Sequence, residues 1–213
     1  MRLQVRRWAI LSIAPMAAGL GQTLPAQARY EVGGTLALYS PTGSYNTGII
    51  CTCLPSSPED LRSRALGGQL RYWFSSTWGV QLAGSVSAPY TFGGYTGPWG
   101  SNITPYYVAR VRLMTVQALA TVVDRPGLGR VWLGMGAGVV QHFGSAYEQD
   151  GNPVSPGGVV GMGGTIRIVS GLSLQAGLES LWYYLNLAPG GQTVSRGLQT
   201  DLLFATGLTW GWQ

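Results

Sequence analysis

The sequence contains no lysine; all 13 of its basic residues are arginines. Charged residues make up only 10% of the chain, well below the roughly 25% of an ordinary soluble domain. There is one histidine, His142, and there are two cysteines, Cys51 and Cys53. Together these cannot supply the four nitrogen and sulfur ligands of a structural zinc site, so no metal is expected. No cofactor is expected either. Long apolar runs are also missing. No stretch reaches the ~18 residues that a membrane-spanning helix requires. Hydrophobic residues nevertheless make up 46% of the chain, which excludes a disordered polymer.

The charge is unevenly placed. Arg2, Arg6 and Arg7 precede an apolar segment at 8–20, and Ala26-Gln27-Ala28 follows. A positive start, a short apolar centre and an A-x-A site read as a secretory signal, so residues 1–28 are expected to be a signal peptide and 29–213 one domain. That domain holds ten arginines against eight acids, a net charge of about +2 at neutral pH. This is no footprint for nucleic acid, and none is expected as a partner.

An exported, apolar chain with no membrane-spanning helix has one good physical home. In lipid every backbone polar group must be paired internally, and a closed β-barrel is the alternative to a helix. Its strands are ~10-residue segments alternating between lipid-facing and lumen-facing side chains. Such alternation runs through 30–39, 64–74, 78–87, 130–142, 158–169, 172–184 and 198–212. In 78–87, for example, Trp78, Val80, Leu82 and Val86 share one face and Gly79, Gln81, Ala83 and Ser85 the other. A fourth segment, 113–123, fits less well. Its parity turns Arg110 and Arg112 outward, so either a bulge resets the register or the two arginines sit above the hydrocarbon, against lipid headgroups. The links 75–77, 124–129 and 170–171 are short and alternate with long ones. This is the arrangement of an eight-stranded, antiparallel, up-and-down transmembrane β-barrel (an all-β fold) in a bacterial outer membrane, with both termini periplasmic.

Gly67-Gly68-Gln69-Leu70-Arg71-Tyr72, Leu133-Gly134-Met135-Gly136-Ala137-Gly138 and the terminal Leu208-Thr209-Trp210-Gly211-Trp212 resemble the small eight-stranded outer-membrane barrels, the outer-membrane-protein-A-like and opacity-protein-like group. The resemblance implies outer-membrane lipid, lipopolysaccharide and the barrel-assembly machinery as partners. It also implies an envelope-structural or surface-interaction role without catalysis.

The same parity turns five charges inward, Glu31, Arg71, Arg167, Glu179 and Asp201, as an interior cluster of opposite signs. They form either a packed polar plug or the gate of a small ion or solute channel. A second alternative is a lipid A deacylase-like enzyme. His142, with Ser145 and Glu148 nearby, has the residue types of a nucleophile activated by a base. However, an odd offset of three turns His142 and Ser145 to opposite faces of a strand. Cys51 and Cys53 lie in the first long link, where an oxidising compartment favours a disulfide. The aromatics Tyr45, Tyr90, Tyr95, Trp99, Tyr106 and Tyr147 in the long links suit contact with an extracellular protein or glycan.

Overall fold

A sheet with one apolar and one small-or-polar face gains most when it closes on itself, with lipid outside and a filled lumen inside. The computed structural model describes residues 29–41, 62–92, 107–125, 128–145, 147–148, 153–187 and 195–212. Its strands are β1 (Arg29–Pro41), β2 (Ser63–Trp73), β3 (Trp78–Ser87), β4 (Tyr90–Phe92), β5 (Tyr107–Arg125), β6 (Gly129–Phe143), β7 (Val154–Arg167), β8 (Leu172–Leu187) and β9 (Ser195–Trp212). All pairings are antiparallel. The order β3-β2-β1-β9-β8-β7-β6-β5 is closed by pairing of β3 with β5, so eight strands form the wall. The short β4 pairs with Tyr107–Ala109 of β5, beyond the end of β3.

The two faces separate as the alternation requires. Leu36, Leu66, Met114, Met135 and Ile166 are exposed on the outer wall, while Ala37, Ala65, Leu119 and Val159 are buried inside. So much exposed apolar surface is incompatible with a water-soluble monomer and fits a membrane-spanning wall. Among the described residues no helix is long and apolar enough to cross a membrane.

One end of the barrel, here the turn end, carries the short links after β2, β5 and β7; the other is the loop end. At the turn end Tyr30 stacks on Trp212 (5.9 Å between ring centroids) and meets Tyr72 (4.8 Å), and Phe74 continues the row from Tyr72. These rings, with exposed Trp78 and Trp210, form an outward aromatic belt of the kind found at membrane interfaces. In the link after β7, Gly171 has φ +80°, a left-handed conformation that only glycine adopts without strain.

The fourth segment resolves in favour of outward arginines. The register of β5 with β6 runs unbroken from Arg110 to Thr121, and the bulge lies at the turn end, between Thr121 and Val123. Val122 and Val123 are consequently both exposed, and Arg110 and Arg112 face outward on the same parity as Met114.

Several strands extend past the apolar signal at the loop end. β5 begins six residues before 113, β7 four before 158 and β9 three before 198. Polar residues and Pro156 interrupt the hydrophobic pattern there without breaking the ladder. Pro156 pairs with Val139 of β6, while β8 joins β7 only from Gly157 onward. It therefore sits where β7 has one neighbour, a position that tolerates a missing N–H.

Candidate functional site

An eight-stranded barrel is just wide enough for side chains to fill, so its interior is the natural place to look for a site. The filling of the turn-end half begins with two indoles. Trp73 on β2 lies over Gly79, its cross-strand partner on β3, and Trp132 on β6 lies over its partner Gly163 on β7. A Cβ at Gly79 would come within 2.7 Å of Trp73, and one at Gly163 within 2.6 Å of Trp132. The two rings meet edge to face across the lumen at 6.4 Å, backed by buried Leu119.

Two arginines lie on these rings. The guanidinium of Arg71 sits 4.0 Å from the centre of Trp132, and that of Arg130 sits 4.2 Å from Trp73. Arg71 is 3% exposed. Its Nε donates to Gln81 Oε1 (2.6 Å), Nη2 to Gln175 Oε1 (3.0 Å), and Nη1 to Glu31 Oε2 (3.4 Å). Gln69 also donates to Gln175. Glu179 accepts from Gln81 (3.1 Å) and Gln117 (2.8 Å). Arg71, Glu179 and the four glutamines line a cavity of about 30 Å³ with Gly161 and Gly177, room for about two water molecules. The lumen is crossed here by a hydrogen-bonded layer.

A second layer closes the loop-end half. Tyr39 and Tyr183 both donate to Asp201 Oδ2, at 2.6 and 2.7 Å. His142 Nε2 lies 3.3 Å from the Tyr183 hydroxyl. The imidazole is also packed between Tyr147 (5.1 Å) and Tyr183 (5.7 Å) and has no exposed surface. Around this set pack Val111, Val140, Leu181 and Leu185. Among the described residues, Nδ1 of His142 and Oδ1 of Asp201 are buried without a hydrogen-bond partner.

No family model and no curated protein matches this sequence. Solved structures do. The outer membrane protein OprG of Pseudomonas aeruginosa superposes with a TM-score of 0.56 at 13% identity, over 89% of this chain and 97% of that one. Neisserial surface protein A gives 0.55 at 11% identity, over 85% and 96%. The Escherichia coli outer membrane protein W gives 0.50 at 16% identity, over 89% and 100%. The chain has the fold of the small eight-stranded outer-membrane barrels.

Within that fold the inward charges divide. Glu31, Arg71 and Glu179 gather in the turn-end layer. Asp201 stands apart, in the tyrosine layer at the loop end. Arg167, expected inside, is instead exposed at the end of β7, where the lumen opens and parity no longer implies burial. Arg130 takes the place left open, over Trp73 and paired with Asp124 at 2.8 Å. Its even spacing from Trp132 is the signal that places it inward.

The enzyme-like set is not assembled. His142 faces Tyr183, whereas Ser145 Oγ accepts the backbone N–H of Val108 at 2.9 Å, and Glu148 is exposed. Ser145 is itself exposed while His142 is buried, because β6 ends at Phe143 and the chain turns at Gly144, with φ +110°, before reaching Ser145. Tyr147, expected among surface aromatics, is 3% exposed and covers His142 instead. Cys51 and Cys53 lie outside the described residues, as do Tyr45, Tyr95, Trp99 and Tyr106, while Tyr90 lies in β4.

Proposed function

We propose that this chain is a closed, non-catalytic outer-membrane barrel with an envelope-structural or surface-interaction role. In this reading both termini and the short turns face the periplasm, and the long links face the exterior. The barrel-assembly machinery inserts it, outer-membrane lipid and lipopolysaccharide surround it, and an extracellular protein or glycan is the class of ligand its long links would meet. The observation that carries this reading is the pair of side-chain layers across the lumen. The Arg71 layer and the Asp201–Tyr183–His142 layer each span the interior, so neither a continuous channel nor an accessible nucleophile is supported. An ion or solute channel would need both layers to move aside.

Conductance in planar bilayers tests the reading. The purified protein is expected to insert without stepwise conductance in molar salt. Regular unitary steps from the unmodified protein would replace the plugged barrel with a pore.

A further inference from the structure

On the outer wall near the loop end, three exposed arginines cluster in one sector. Arg64 on β2 and Arg110 and Arg112 on β5 are exposed, face outward, and flank the end of β3. Arg62, also exposed, continues the β2 column one step further from the membrane. Ala88 bonds through its backbone to Arg64, and continuing the pairing of Val86 with Arg112 brings Ala88 opposite Arg110. Arg64 and Arg110 therefore stand on either side of a methyl group, two strand spacings or about 10 Å apart. Arg112 lies one step below, donating to Gln141 at 3.3 Å and resting over Phe143. Among the described residues none of the four has an acidic partner; the ion pairs there are Arg71–Glu31 and Arg130–Asp124.

Their height matters. Trp78 marks the aromatic belt at the turn end of β3, and Val86, eight residues along, is the register partner of Arg112. A rise of ~3.4 Å per residue and a tilt of ~40° give about 21 Å from the belt to Arg112, and about 26 Å to Arg64 and Arg110. The apolar band of such barrels is about 25 Å tall. Exposed Leu66, Leu82, Met114 and Val116 fill the wall immediately below. The guanidinium groups thus stand where hydrocarbon gives way to headgroups. Guanidinium binds phosphate in a bidentate manner, and the chain uses no other cation.

We infer that Arg64, Arg110 and Arg112, extended by Arg62, form a site for the phosphates of lipid A in the outer leaflet. The leaflet assignment rests on the proposed orientation of the long links. The chemistry of the site does not.

The test uses the folded protein in neutral maltoside micelles doped with bis-phosphorylated lipid A, with retained lipid counted by native mass spectrometry. The unmodified protein is expected to retain lipid A and to lose it when the lipid is dephosphorylated. Each outward arginine contributes about five-fold at a charged lipid surface. The R64Q/R110Q/R112Q variant should therefore bind on the order of a hundred-fold more weakly, and R110Q alone about five-fold, should the triple variant fail to fold. R125Q and R167Q, at the turn end, should bind as the unmodified protein does. Undiminished retention by the folded variants would overturn the site, and so would equal retention of phosphatidylglycerol. Because binding in micelles is independent of orientation, an inverted topology would be read separately, by proteolysis on whole cells.

Discussion

Replacing Arg71 with methionine tests whether the polar layer holds the barrel together or merely occupies it. The substitution keeps most of the side-chain volume and the contact with Trp132 but removes the charge. Gln81 and Gln175 then lose one partner each, and both line the small cavity, where water can serve them. Glu31 has no such recourse. Its side chain is 11% exposed and is paired with Arg71. Removing one member of a buried pair costs about 3–5 kcal/mol, because the other is left charged and unpaired. R71M should therefore unfold in urea, in detergent micelles, with about 4 kcal/mol less stability. E31Q should cost less, since the guanidinium keeps Gln81 and Gln175. The double variant R71M/E31Q should recover most of the loss, and this coupling is the decisive measurement. If the double variant is as unstable as R71M alone, the damage lies in packing against Trp132 and not in a stranded carboxylate. A change below about 0.5 kcal/mol in R71M would refute the reasoning altogether.

Gly163→Val should push Trp132 off its cross-strand partner and cost about 2 kcal/mol by overpacking, with a changed near-ultraviolet circular dichroism spectrum. Gly158→Val, where a Cβ meets nothing within 4 Å, is the control and should be close to neutral. His142→Ala should leave the lipid A acylation pattern of the host unchanged by mass spectrometry; a shift in acyl-chain number would restore the enzyme reading. Proteinase K added to intact cells should cut between β1 and β2 and spare the link after β5. The opposite pattern would invert the proposed orientation.

Much of the wall was legible because a strand's period of two is a local property. The bounds of β3 agree with the alternation in 78–87, whereas parity leaves Arg110 and Arg112 open between an outward placement and a bulge, and only the unbroken register of β5 with β6 decides it. What period two cannot express is height. Arg71 and Asp201 both point inward, yet they belong to different layers, because height along the barrel depends on how each strand is staggered against the next. The pairing of Trp132 with Gly163 is hidden for the same reason: which glycine makes room for which indole is decided by register between β6 and β7. Arg167 shows the converse limit. Parity carried to the last residue of a strand still names a direction, but at the rim that direction no longer leads into the interior.

The join between β1 and β9 has a kinetic consequence. Their register begins with Tyr30 opposite Trp212 and runs to Pro41 opposite Asp201, so the first and last strands of the wall must find each other across nearly the whole chain. Every other pairing in the wall can form between neighbours in sequence. Before this last zipper closes, β1 and β9 each present a bare row of N–H and C=O groups that lipid cannot satisfy. Contacts of such long sequence separation form slowly, so closure of this seam is expected to be the slowest pairing of the wall. A lesion in β9 would act there even when the remaining strands are intact.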